Sequence, residues 1–201
     1  MMIKIDLHVH TSDHSLCSIM SAHEAIEAAI QNGLDGIVLT EHDFLWLERD
    51  LDCLSEKYAN HIKVFPGIEI SCREGHFLVY GFKNSEGIYY NMPAKKLIDV
   101  AHHNNAAIIA AHPYRYSKKE GDYCYHLDID GVEIDSNNTH EIAHEQAIKL
   151  ADTKKLFMVT SSDSHSTDAI GNYYTLFPDS VNTLYDIVDY ILDFKIANNS
   201  A

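Results

Sequence analysis

The sequence predicts an α/β domain built on a mostly parallel sheet or barrel, and three observations carry that expectation. Short apolar runs with strand period alternate along the chain with longer amphipathic stretches. The inner runs, such as AAIIAAH at 106–112, are apolar at almost every position, as in strands covered on both faces. The chain of 201 residues is long enough for one full core and short for two, so one domain over 1–201 is expected.

Taken in order, Ile3, Ile5, Leu7 and Val9 alternate with Lys4, Asp6, His8 and His10, a strand that sends its polar set to one face. Ser21 and Glu24 form a capping box that starts a helix ending near Gly33. Gly36 to Thr40 reads as a buried strand and Phe44 to Tyr58 as a helix. Strands follow at Ile62 to Phe65, Ile68 to Ser71, Phe77 to Phe82, Ala107 to Ala111, Gly131 to Ile134, Leu156 to Thr160 and Tyr173 to Phe177. Helices are expected at Ala94 to Asn104, Thr139 to Asp152 and Val181 to Asn198, and Tyr114 to Leu127, lacking a clean period, as a loop over the site.

Composition narrows the function. A net charge of -15 with three arginines, Arg49, Arg73 and Arg115, argues against a polynucleotide or anionic-membrane binder. An anionic substrate remains compatible if divalent ions reverse the local sign. The apolar runs are too short for a membrane helix and no signal-peptide profile precedes the first strand, so a cytoplasmic chain that does not enter the membrane is expected. Cys17, Cys53, Cys72 and Cys124 form no C-x-x-C pair and are read as reduced thiols.

The polar residues that stand out fall at strand ends: Asp6, His8 and His10, then Glu41-His42-Asp43, Glu69, His76, His112, and Asp163 with His165. In parallel α/β folds these ends share one face, where sites are built. Pairs spaced by two, His8/His10 and Asp163/His165, point to one side of an extended backbone. Mixed imidazole and carboxylate donors suit Zn, Mn or Fe, a bridging carboxylate such as Glu69 can hold two ions, and the absence of thiolate fits a catalytic site better than a structural one. Of the other histidines, His23, His61, His102, His103, His126, His140 and His144 are read as solvated or capping. Glu133 and Asp135 share a strand face and are read as equally compatible with a buried hydrogen-bonding pair.

These strings together resemble the polymerase-and-histidinol-phosphatase (PHP) superfamily of metal-dependent phosphoesterases. The matching stretches are DLHVHT (6–11), GLDGIVLTEHD (33–43), PGIEIS (66–71), GHFLVYGF (75–82), AAHPYR (110–115), SSDSH (161–165) and AIGNYYTLF (169–177). The resemblance implies a distorted (β/α)7 barrel with two or three divalent ions at its mouth. One ion would be held by His8, His10, Glu69 and Asp163, and a second by Glu69, His76 and His112. A third would take His42, His165 and a ligand from the first turn, for which Asp13 is preferred over His14 and Cys17.

The activity implied is hydrolysis of a small phosphorylated substrate by metal-activated water. Arg115 is the first candidate to fork onto phosphate and Arg73 the second. Asp43 or His165 would orient a ligand or protonate the leaving group, and Asp6 would support a ligand rather than be one. Two other readings stand beside this one: a metal-dependent hydrolase of C–N or ester bonds, and a non-catalytic metal-binding PHP module. The sequence assigns no oligomeric state.

Overall fold

The computed structural model describes residues 1–199. Its strands are β1 (Met2–Val9), β2 (Gly36–His42), β3 (Lys63–Cys72), β4 (Gly75–Tyr80), β5 (Ala107–Ala110), β6 (Gly131–Asp135), β7 (Phe157–Thr160) and β8 (Thr175–Pro178). Its helices are α1 (Ala22–Gln31), α2 (Glu48–Tyr58), α3 (Ala94–His103), α4 (Lys118–Tyr123), α5 (Glu141–Lys154) and α6 (Leu184–Asn199).

One sheet runs in the order β7-β6-β5-β4-β3-β2-β1-β8. Strands β1, β2 and β3 are parallel, as are β5, β6 and β7; β4 is antiparallel to both neighbours and β8 antiparallel to β1. The ends of the sheet nearly meet. A parallel bridge joins Val9 to Ser164, His10 N–H donates to Ser164 O (3.0 Å), and the Thr175 hydroxyl donates to Thr160 O (2.9 Å). The result is a nearly closed eight-stranded barrel, distorted because two of its strands run against the rest.

Three apolar clusters hold it together. Ile5, Leu7, Val38, Leu78, Tyr80 and Ile109, from four strands, pack with Ile187, Val188 and Ile191 of α6. A second cluster puts α1 and α2 against the outer side of β1 to β3, and a third puts α3 and α5 against β3 to β6. Each fully buried Leu, Ile or Phe among them contributes roughly 1.5–3 kcal/mol relative to exposure.

Simple alternation in β1 does not survive to its end. Ile5 and Leu7 pack in one cluster and Val9 in another, because the β1–β2 register shifts between Asp6 and Val9. Bulges of this kind re-aim side chains next to active sites. A second register shift lies in β6 between Glu133 and Asp135. Close packing matters at Gly67 too: a Cβ there would stand 2.8 Å from both Thr40 Cγ2 and Val38 Cγ1. Any side chain would push β3 off β2 and displace Glu69, two residues on.

Several expected boundaries move. The strands expected at 62–65 and 68–71 are one strand, β3. The helix expected from Phe44 begins at Glu48, because residues 44–47 are tied to the first turn: Trp46 Nε1 donates to Glu41 Oε1 (3.1 Å) and His14 stacks on Phe44 at 3.9 Å. The stretch expected as a loop, 114–127, contains α4, capped by Ser117, and a 3-10 turn at Cys124–His126 whose Cys124 is buried. The last helix starts at Leu184 instead of Val181.

Candidate metal centre

The mouth of the barrel collects the strand ends. Strand β1 delivers His8 and His10, β2 His42, β3 Glu69, and the segments after β5 and β7 deliver His112, Asp163 and His165. His76 reaches the same end because β4 is antiparallel and opposes its second residue to Ser71 near the end of β3. His8, His10, Glu69, His112 and Asp163 are buried. His42, His76 and His165 line the open side with about 30 % of their side chains exposed.

Glu69 is the centre of this arrangement. Its Oε1 lies 3.0 Å from His76 Nδ1 and 3.1 Å from His112 Nε2. Its Oε2 lies 2.9 Å from His42 Nδ1, 3.2 Å from His10 Nε2 and 3.4 Å from His8 Nε2. Despite these neighbours Oε2 is buried without a properly directed hydrogen bond, and His8 Nε2 faces His10 Nε2 at 2.9 Å. A carboxylate and five imidazoles turned on one small volume, with an orphaned oxygen among them, is a donor set that fits divalent cations.

Four overlapping groups have ligand atoms close enough for one ion: His8, His10 and Glu69; His8, His112 and Asp163; His42, Glu69 and His76; and His10, His42 and His165.

The electrostatics agree with such a role. Burial would raise the Glu69 carboxyl, yet His8, His10, His112 and His42 hold it well below the usual range. Burial opposes ionisation of Asp163 as well, and His8, His10 and His112 override it, keeping the group a carboxylate. In return Asp163, Glu133 and Glu69 raise His8 against its desolvation, and Asp163 and Glu69 raise His10. His165 goes the other way, lowered by burial and by His10.

Backbone conformation is unusual at the same place. Asp43, His112 and Asp163 have φ of 54°, 31° and 49°. Such left-handed positions are sparsely populated by residues other than Gly, Asn and Asp, and they persist where surrounding contacts determine them.

Asp13 is not brought to this cluster, which corrects its preference as the first-turn ligand. Its Oδ2 accepts from Ala22 N (2.7 Å) at the first turn of α1, beside the Ser21–Glu24 capping box. A helix start leaves several N–H groups without internal partners, and Asp13 satisfies one of them. His14 is held between Phe44 and Trp46. Cys17 is exposed, its thiol pushed up by partial burial and by the Glu69, Asp163 and Glu41 carboxylates.

The other expected residues have partners of their own. Arg115 Nη1 donates to Asp163 Oδ2 (2.8 Å), and its guanidinium lies 5.2 Å from the Tyr116 ring. Arg73 Nε donates to Asn91 O (3.1 Å) in an exposed contact at the β3–β4 turn. Asp43 Oδ1 accepts from Ser71 N (2.9 Å), so this side chain ties β2 to β3. The ring of His165 stacks on His10 at 4.5 Å, with Nδ1 3.0 Å from Asp163 O. Asp6 Oδ1 accepts from His8 N (3.2 Å) and Ser162 N (2.9 Å), which makes it a brace between β1 and the segment after β7.

Sequence reasoning left out three neighbours of the cluster. Glu133 touches His8, Glu41 gathers the first turn through Thr11, Ser15 and Trp46, and Asn138 Nδ2 donates to Asp163 Oδ2 (2.9 Å). Glu133 and Asp135 on one predicted strand and Glu41 beside His42 were visible signals. Asn138 lies in a loop and carried none.

Comparison with known proteins follows the same lines. A family model described as PHP-associated matches residues 141–195, from α5 into α6. No curated protein matches the chain in sequence. A two-domain protein from Bacteroides vulgatus containing a predicted PHP-like metal-dependent phosphoesterase superposes with a TM-score of 0.70 at 19% identity, covering 97% of this chain and 63% of that one.

This is the PHP fold.

The model match covers the last part of the chain, and the shared fold extends over nearly all of it. The lesion-specific endonuclease PfuEndoQ from Pyrococcus furiosus shares the fold with a TM-score of 0.66 at 20% identity, over 96% of this chain and 56% of that one. So does an amidohydrolase from Chromobacterium violaceum, with a TM-score of 0.66 at 13% identity, over 93% and 96%. The chain therefore spans less than two thirds of the first and second of these PHP-fold neighbours. No helix among the described residues is long and apolar enough to cross a membrane.

Proposed function

We propose that this PHP-fold chain is a metal-dependent phosphoesterase that hydrolyses a small phosphate ester at a site of two or three divalent ions, Zn, Mn or Fe. The observation that carries the reading is Glu69, a fully buried carboxylate with an orphaned oxygen amid five imidazoles. Bound there, divalent cations would lower the pKa of water and balance the charge of phosphoryl oxygens. His8, His10, Asp163, Glu69, His76 and His112 would hold them, with His42 and His165 on the open side.

The remaining roles belong to the chain's own groups. Arg115 turns its free guanidinium edge to a phosphoryl oxygen while Asp163 keeps it in place. His165, partly exposed at the rim with its proton affinity lowered by burial and His10, is placed to pass a proton to the leaving oxygen. Asp43 acts through the β2–β3 contact that places Glu69 rather than on substrate.

A small substrate is favoured over a polynucleotide because a chain of net charge -15 has three arginines, two of which are engaged elsewhere, Arg49 with Asp50 and Arg73 with Asn91. The amidohydrolase neighbour motivates the alternative of C–N bond hydrolysis. The deciding experiment loads purified protein with Mn, Zn or Fe and measures bound ions together with turnover of phosphomonoesters, cyclic phosphodiesters, nucleotides, amides and lactones. Two or more ions with phosphate release is the expected result. Turnover of amides alone replaces the phosphoesterase reading with the alternative, full loading without turnover leaves a binding module, and a folded protein that takes up no ion ends the metal reading.

A further inference from the structure

Glu133 is a buried carboxylate at the mouth that holds two candidate ligand residues at once, one by its ring and one by its backbone. It sits in β6 where the register shifts, and it is 1 % exposed. Its Oε1 accepts from His8 Nδ1 (3.0 Å) and from the Ser161 hydroxyl (2.6 Å), and its Oε2 accepts from His112 N (2.9 Å). His112 is the residue with φ of 31°. A carboxylate can only accept, so the proton of a neutral His8 imidazole must stand on Nδ1. That leaves the Nε2 lone pair facing Glu69 and Asp163, at 3.4 and 3.5 Å. The same carboxylate, through its other oxygen, holds the strained backbone from which the His112 ring projects.

Both histidines belong to the ligand group His8, His112 and Asp163, and His8 belongs also to the group His8, His10 and Glu69. From this we infer that Glu133 is a positioning residue for the inner ion positions, those that take His8 or His112, and not for the open-side position of His10, His42 and His165. It sets the tautomer and aim of His8 and the backbone of His112 together, although the two lie on β1 and after β5. The inference rests on the metal-site reading above and goes beyond it by separating the inner positions from the open-side one: the group His10, His42 and His165 contains neither residue that Glu133 holds. A carboxylate present only to tie strands together would act on every position alike.

The test is Glu133→Gln, which keeps the size of the side chain and offers an amide N–H to His8 Nδ1, favouring the wrong tautomer. Ion-free wild type and variant are titrated with Co²⁺, followed by visible absorption, and with Zn²⁺, followed by calorimetry, after circular dichroism and thermal unfolding confirm the fold. The expected result is a 10–100-fold weaker association of the equivalents that take His8 or His112, with altered Co²⁺ bands for them, while the equivalent at His10, His42 and His165 binds as in wild type. If Glu133→Gln does not fold, Glu133→Asp, which withdraws the carboxylate by one bond and keeps its charge, is read in the same way with a smaller loss.

Identical titrations of variant and wild type overturn the positioning role. Equal weakening of all equivalents overturns it in favour of a general structural one. Absence of binding by wild type overturns the metal reading on which it rests, a result distinguishable from either.

Discussion

Two buried polar clusters sit at opposite ends of the barrel, and they are balanced in different ways. At the amino-terminal end of β5 and β6, Asp130 is 1 % exposed, yet its carboxylate accepts from Ile108 N (2.9 Å) and Lys195 Nζ (2.8 Å), with His102 Nε2 at 3.3 Å. Lys195 also reaches Asp128 (2.7 Å), so a cation from α6 balances the charge from within the chain. At the mouth there is no such partner at the centre: Arg115 binds the outer oxygen of Asp163, while Glu69 Oε2 is left without a directed donor. Burying charge without a compensating partner is strongly unfavourable. A cluster complete in itself is part of the frame, whereas one that is incomplete is a place for a cation from solution.

Breaking the mouth should have the largest effect. Glu69→Gln removes the carboxylate shared by two ligand groups, and turnover should fall by roughly a thousandfold, about 4 kcal/mol in the barrier, with fewer ions retained by elemental analysis. Unchanged turnover and ion content would remove Glu69 from the centre.

Next is Asp6, raised to about 6, chiefly by burial, from an ordinary value of 3.8. A raised acid pKa means that the folded chain holds the proton more tightly than the unfolded chain. The associated stability is present below the unfolded value and is lost as pH rises through about 6. For the ion-free protein this amounts to about 3 kcal/mol, and Asp6→Asn should abolish that part of the slope in urea unfolding between pH 4 and 6.5. Parallel slopes for the two proteins would show that Asp6 does not titrate in this range.

The opposite cluster gives a smaller effect. Lys195→Met strands Asp130, and because Asp128 is mostly exposed and Asp130 keeps Ile108 N and His102 as partners, we expect a loss of about 2 kcal/mol with ion content unchanged. A loss of bound ions would mean that the two ends are coupled. Smallest is Asp13→Ala, expected to lower unfolding stability by about 1 kcal/mol through the exposed start of α1 and to leave the number of bound ions as it was. A lost ion would restore Asp13 as a ligand.

The first-turn result shows why residue type is not enough. Asp13, His14 and Cys17 all carry ligand atoms and all lie within seven residues of His10. Their destinations depend on α1, whose first N–H groups need acceptors, and on Phe44 and Trp46, which come from the far side of β2. Likewise Arg115 as a bare sequence position suggested phosphate, and only the folded chain shows it paired to Asp163. The apolar strands and the capping box at Ser21 were legible because they depend on local period and local hydrogen bonds. The start of α2 was not, because Trp46 is claimed by Glu41 through tertiary contact.

By itself the sequence determined the alternation of strands and helices, the histidines and carboxylates at strand ends, and the resemblance that joins them. Those features are carried by side-chain order along the chain. Tertiary structure alone decided that β4 runs against its neighbours and brings in His76, that shifts of register re-aim β1 and β6, and that Glu133 meets His8 across the barrel. The physical reason is distance: His8 and Glu133 are 125 positions apart, and only closure of the sheet puts a buried carboxylate on the imidazole it orients.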